Sequence, residues 1–124
     1  MKNIEIASIV NVYQSGKGEI KLPAAIAWKR RLNMAKLIEA KKIIDDAIRE
    51  ISEKYSDDEH SEPGENNTRK VKPEYMAEFG KAQADILTQD TDVEIKKVSI
   101  EDLGDIDITD TQMDTIAFMI EEGE

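Results

Sequence analysis

The 124-residue chain has no cysteine and a formal net charge of −10, which excludes a disulfide framework, a thiolate nucleophile and a Cys-ligated zinc. The acidic sum also argues against direct binding of nucleic-acid phosphates, which needs clustered positive charge. At this length a single domain, 1–124, is expected. No run of eighteen apolar residues is present to cross a membrane. Met1-Lys2-Asn3-Ile4-Glu5 opens without the apolar run of a secretory signal, and a cytosolic setting fits. The charge is divided. Residues 1–42 hold nine Lys/Arg and three Asp/Glu, whereas residues 43–124 hold eight and twenty-four. Such a dipolar chain can present a basic patch despite its acidic sum, and its acidic half suits a basic partner.

From Asn3 to Tyr13, Ile4, Ile6, Val10 and Val12 recur on alternate positions, which predicts a strand. Ser15-Gly16-Lys17-Gly18 reads as a turn, and Glu19-Ile20-Lys21-Leu22 alternates again, so an N-terminal hairpin is expected. Pro23 suits the first turn of a helix. Ile26, Leu37, Ala40, Ile44, Ala47, Ile48, Ile51 and Tyr55 then recur at helical spacing with no glycine or proline between them. Such a helix reaches about 45 Å, so either it breaks near Asn33 or part of it protrudes to meet a partner. Residues 56–70 are polar and acidic with Pro63-Gly64 among them, the composition of a mobile loop.

Pro73 restarts a helix to about Leu87, with Tyr75, Met76, Phe79, Ala82 and Ile86 on one stripe and Gly80 weakening it. Val93-Glu94-Ile95 and Val98-Ser99-Ile100 are strand-like, with a bulge or a change of exposed face at Lys96-Lys97. Thr109 and Gln112 have the spacing of a capping box, and Met113, Ile116, Ala117 and Ile120 give the last helix an apolar face. The expected fold is α+β. A small antiparallel sheet, made of the N-terminal hairpin and short strands within about 92–108, is packed by three helices, one of them long. Ile44, Ile48, Ile51, Phe79, Ile116 and Ile120 are expected in one core.

No catalytic constellation emerges, and neither a cofactor nor a metal is expected. His60 is the one histidine, set among acidic residues, with no partner in sequence to make it a general base. Asp105-Ile106-Asp107-Ile108-Thr109-Asp110 has the alternate oxygens that open a calcium loop. It places Asp110 where glycine is needed and Ile116 where a bidentate glutamate is needed, so a strand leading into a helix cap is the better reading. Gly16-Lys17-Gly18 lacks the further residues of a phosphate loop.

Two surfaces stand out as protein-binding candidates. Lys29-Arg30-Arg31 is either the solvated flank of the long helix or a grip for an acidic partner. Trp28 beside it suits an interface, as Trp and Arg do at binding hot spots, or a core anchor. Asp105, Asp107 and Asp110 are the matching candidates on the acidic half.

The order of elements resembles a family of small proteins of unknown function from bacteriophages and prophages of Gram-positive bacteria. The resemblance is carried by a short N-terminal strand, a Leu-Pro-initiated long helix, Glu53-Lys54-Tyr55, an acidic loop and Tyr75-x-x-x-Phe79. It continues through Val93-Glu94-Ile95-Lys96-Lys97-Val98 and Leu103-Gly104-Asp105-Ile106-Asp107-Ile108-Thr109 to a helix ending Phe118-Met119-Ile120. It implies a viral origin and brings no known activity or functional residues. With no catalytic constellation in the chain, the expectation is a phage or prophage accessory protein in the host cytoplasm that binds a host or phage protein, a host defence protein for example, and inhibits or modulates it. The alternative it leaves open is a virion or assembly component that forms homo-oligomers through its long helix.

Overall fold

The structure is a computed structural model that describes residues 1–16 and 19–121. Its first element is a helix, α1 (Asn3–Ser15), where the alternation of Ile and Val predicts a strand. The N-terminal hairpin is therefore corrected. The residues that α1 buries are Asn3, Ile6 and Val10, at helical spacing, while Ile4 and Val12 of the apparent strand face lie exposed. β-Branched residues lower helix propensity by only tenths of a kcal/mol each, and packing of one face overrides that. Gly16, the supposed turn residue, ends α1 at φ 73°, with its N–H donated to the Tyr13 carbonyl. That is the left-handed C-cap glycine supplies. Lys17 and Gly18 lie outside the described residues.

Residues 19–22 form no strand, but Ile20 and Leu22 pack inward ahead of α2 (Ala24–Lys54), which opens after Pro23. This helix runs unbroken through Asn33. The chain folds back along it, so the apolar stripe of Leu37, Ile44 and Ile48 is packed within its own chain. The strands that do pair are β1 (Ser61–Pro63) and β2 (Arg69–Val71), antiparallel with Glu62 opposite Lys70. They lie in the stretch read as an acidic loop, 56–70, with Val71 just beyond it. Gly64, Asn66 and Asn67 turn the chain between them, the two asparagines at φ 55° and 61°, a region that Asn tolerates better than most residues. Arg69 reaches back to Asp58 at 2.9 Å and Ser61 Oγ at 3.0 Å.

Helix α3 (Met76–Leu87) follows a single tight turn over Pro73–Tyr75. Its N-terminal half holds Phe79 edge-on to Tyr55, with ring centroids 5.3 Å apart. Its C-terminal Ile86 and Leu87 pack on α1 and α2 residues, whereas Met76 is exposed. The expected strands within 92–108 do not join a sheet. Among the described residues Val98 alone of that stretch bridges, to Ile120 in parallel. Helix α4 (Asp110–Ile116) starts on the expected capping box: the Gln112 N–H donates to Thr109 Oγ1 and the Thr109 N–H to Gln112 Oε1, at 3.2 and 3.0 Å. The chain then tightens over Ala117–Met119, leaving Ala117 exposed and sealing Met119 in its place. A second capping box, Ser99 with Asp102, starts the turn at Ile100–Leu103.

Among the described residues there are two cores instead of one. The first gathers Ile6, Val10, Met34, Leu37 and Ile44 from α1 and α2. The second gathers Ile26, Val98, Leu103, Ile116 and Met119. Of the residues expected together, Ile44 and Ile48 belong with the first and Ile116 and Ile120 with the second; Ile95 and Phe118 touch both. A 31-residue helix is too long for one small core to cover, so its two ends carry separate clusters. No helix among the described residues is long and apolar enough to cross a membrane.

The fully buried Asn33 joins these parts. Its Nδ2 donates to the Lys96 carbonyl at 2.9 Å and its Oδ1 accepts the Lys96 N–H at 2.8 Å. Asn33→Ala leaves both backbone groups without a partner and opens a void, and is expected to cost about 2–4 kcal/mol. A lowered urea midpoint at unchanged slope checks this. Gly80 in α3 is exposed, and a Cβ there meets nothing within 4 Å. Gly80→Ala is expected to stabilise by about 0.5–1 kcal/mol, read as a melting temperature raised by a few degrees.

Candidate functional site

α1 and the start of α2 meet at Tyr13 and Arg30. The Arg30 guanidinium lies 5.0 Å from the centroid of the Tyr13 ring, within the range of a cation–π contact. Its Nε is buried and finds no acceptor among the described residues. Burial pulls the guanidinium below its usual pKa, with Tyr13 and Glu19 acting in the opposite direction. Arg30 remains charged in any case, because the arginine reference lies far above neutral pH.

Around it opens a pocket of about 470 Å³, lined by Tyr13, Glu19, Leu22, Trp28, Arg30 and Arg31 among others. Of the sequence candidates, Trp28, Arg30 and Arg31 are thus brought to one concave surface. Trp28 is 58% exposed and is no core anchor. Lys29 turns toward the second core's flank, where its charge helps hold the Asp102 carboxyl below the usual carboxylate range, after the larger effect of the Ser99 hydrogen bonds. Among the described residues none of Lys29, Arg30 and Arg31 forms an ion pair. Further along the same helix Lys41 does pair locally, with Asp45 at 2.6 Å.

Asp105, Asp107 and Asp110 are exposed, while Ile106 and Ile108 between them pack on the second core. Asp110 occupies the first turn of α4, where a negative charge favours the helix N-terminus. The acidic run does not line the Trp28–Arg30 pocket. Both runs nevertheless border the second core, the basic one through Ile26 and the acidic one through Ile106 and Ile108. Sequence reasoning missed Tyr13, which it placed on a strand.

His60 is packed rather than exposed. Its ring lies 5.2 Å from Tyr55 and 4.6 Å from Tyr75, centroid to centroid. Its Nδ1 meets Asp57 Oδ1 at 2.7 Å, and its backbone N–H donates to the same oxygen at 2.9 Å. Asp57, Glu59 and His60 each offer a metal-ligating atom within 4.8 Å of one another. Two of those atoms are engaged with each other, so the trio reads as a turn that locks the hairpin onto the Tyr55–Tyr75–Phe79 rings. Burial, and then the Glu78 carboxylate, raise the Tyr55 phenol above its usual value.

Comparison of the chain with family models, with curated proteins and with solved structures gives no match.

The His60 hydrogen bonds, ring first and backbone second, hold Asp57 below its usual carboxylate value. A carboxylate whose pKa is lowered on folding adds stability above its unfolded pKa. That stability is lost as pH falls through the folded value. The melting-temperature advantage of the wild type over Asp57→Ala is expected in full above the unfolded carboxylate pKa of about 4 and should shrink progressively as pH falls below it. Parallel thermal melts across that range measure it.

Proposed function

We propose that this chain acts without catalysis, by binding another protein through the Tyr13–Trp28–Arg30 pocket, and that the bound element carries carboxylates. The observation that supports this most is Arg30, a cation that lines a concave site and forms no ion pair among the described residues, beside an exposed tryptophan. Desolvation of Arg30 has already been met by folding, so a carboxylate entering the pocket gains a charge-assisted hydrogen bond at little added cost. Trp28 supplies apolar area of the kind that anchors interfaces. Arg31 at the rim steers the approach. The resemblance still carried by Glu53-Lys54-Tyr55, Tyr75-x-x-x-Phe79 and Leu103-Gly104-Asp105 suggests the setting: a phage or prophage accessory protein whose partner is a host protein, inhibited or modulated by occupation. The acidic run Asp105, Asp107 and Asp110 then serves as a secondary contact for basic groups on the same partner, being exposed on the same end of the molecule.

The seam once available for assembly through the long helix is packed within the chain, which favours the binding reading over the virion one. Trp28 is the chain's one tryptophan, so its fluorescence reports the pocket directly. Titration with a capped oligo-aspartate peptide is expected to give a saturable change that weakens with salt. Arg30→Ala is expected to lose about tenfold in affinity, and reversal of Asp105, Asp107 and Asp110 to lysine should leave it unchanged. A linear, unsaturable response, or an Arg30→Ala variant that binds as well as wild type, would refute the pocket as the binding site.

A further inference from the structure

Residues 92–97 behave as a strand whose partner is missing. From Asp92 to Lys96 exposure alternates, with Asp92, Glu94 and Lys96 outward and Val93 and Ile95 half-buried against the first core, and Lys97 is exposed. Their backbone alternates as well. The Glu94 carbonyl accepts from Lys36 Nζ at 3.0 Å, Lys96 exchanges two bonds with Asn33, and Val98 bonds the backbone of Met119 and Glu121. All three even-numbered residues are thus held on the side of α2 and the C-terminal turn. In an extended chain the odd-numbered residues turn their N–H and C=O groups to the opposite edge. No backbone group of Val93, Ile95 or Lys97 has a hydrogen-bond partner among the described residues. An edge of this kind is a template for an added strand.

We propose that this edge pairs antiparallel with the same segment of a second copy, about a two-fold axis at Ile95. The residues select that occupant. Centred on Ile95, the free groups form three hydrogen-bonded pairs: Val93 with the partner's Lys97, Ile95 with the partner's Ile95, and Lys97 with the partner's Val93. Between them Glu94 faces the partner's Lys96, and Lys96 faces the partner's Glu94. These are non-hydrogen-bonded positions, where cross-strand side chains come closest. Neither Glu94 nor Lys96 forms an ion pair within the chain among the described residues. A slip of the register by one residue pair sets Lys96 against Lys96 in one direction; in the other it sets Glu94 against Glu94 and, although Asp92 then faces the partner's Lys96, it calls on Thr91, whose N–H and C=O are already bonded to Met1. Parallel pairing in register stacks like charges too. Each competing arrangement opposes like charges, which disfavours it. This surface is separate from the Trp28–Arg30 pocket, and the proposal stands or falls independently of it.

The test is the concentration dependence of mass for the full chain by sedimentation equilibrium. Wild type is expected to dimerise reversibly and less tightly as salt rises. Glu94→Lys and Lys96→Glu, both on exposed side chains, each convert two attractive cross-strand pairs into repulsive ones, and each should weaken self-association by about tenfold or more. Mixing the two variants should restore a heterodimer, because every Lys then faces a Glu. The double variant Glu94→Lys/Lys96→Glu should dimerise like wild type. Matching melting temperatures of the isolated variants show that the fold is intact. A wild type that stays monomeric at every concentration overturns the proposal. So does a dimer indifferent to both single reversals, or a mixture that gains nothing over its components.

Discussion

The carboxamide of Asn33 is the constraint on which the rest of the molecule depends. It offers one acceptor and one donor side by side, the same pair that a neighbouring strand would offer to Lys96. A helix cannot pair with a strand through its own backbone, whose groups are spent internally. One asparagine on its buried face can. The amide also lies 3.9 Å from Met119 Sδ, so it sits where the two clusters adjoin. With Lys96 pinned there, Val93 and Ile95 fall on the first cluster and Val98 on the second. Asn3 does a similar service on α1, donating to the Ile86 carbonyl at 2.8 Å and accepting from Thr91 Oγ1 at 2.6 Å. Two buried amides thus dock residues 86–98 onto helices where a sheet was expected.

This arrangement explains how a small chain covers so long a helix. Each end of α2 is sealed by a different part of the sequence: α1 and the end of α3 at one cluster, α4 and its approach at the other. Ile95 and Phe118, touching both, make the clusters mechanically continuous. The hairpin is a third, smaller unit held by aromatic rings and the Asp57–His60 pair rather than by aliphatic burial.

Legibility in the sequence followed the strength of local signals. α2 was readable because nothing within it breaks a helix, and the start of α4 because Thr109 and Gln112 sit three apart. The α+β class holds, but its strands are elsewhere. α1 misled because Ile4, Ile6, Val10 and Val12 satisfy a period of two while Asn3, Ile6 and Val10 satisfy the helix; only packing against α2 decides between them. β1 and β2, Ser-Glu-Pro and Arg-Lys-Val, carry almost no apolar pattern, and their pairing comes from the turn between them and from charge. At the candidate site, Trp28, Arg30 and Arg31 were visible as a run. Tyr13 was not, since its place over Arg30 follows from how two helices cross and leaves no mark on spacing. The open edge of residues 92–97 is likewise a product of tertiary contacts that occupy one side of the chain and leave the other.

The separation between Asn33 and Lys96 also has a consequence during synthesis. The two are 63 residues apart, so at roughly 5–20 residues per second the ribosome delivers Lys96 about 3 to 13 s after Asn33. Once Lys54 has been added, for about two thirds of that interval, α1 and α2 are both available, yet the amide between the two clusters has only water to bond, and the seam beside it cannot dry. The nascent helical pair therefore stays loosely closed until the later half of the chain emerges. Completion of the fold is a late event, with the long-range contacts of both asparagines made together.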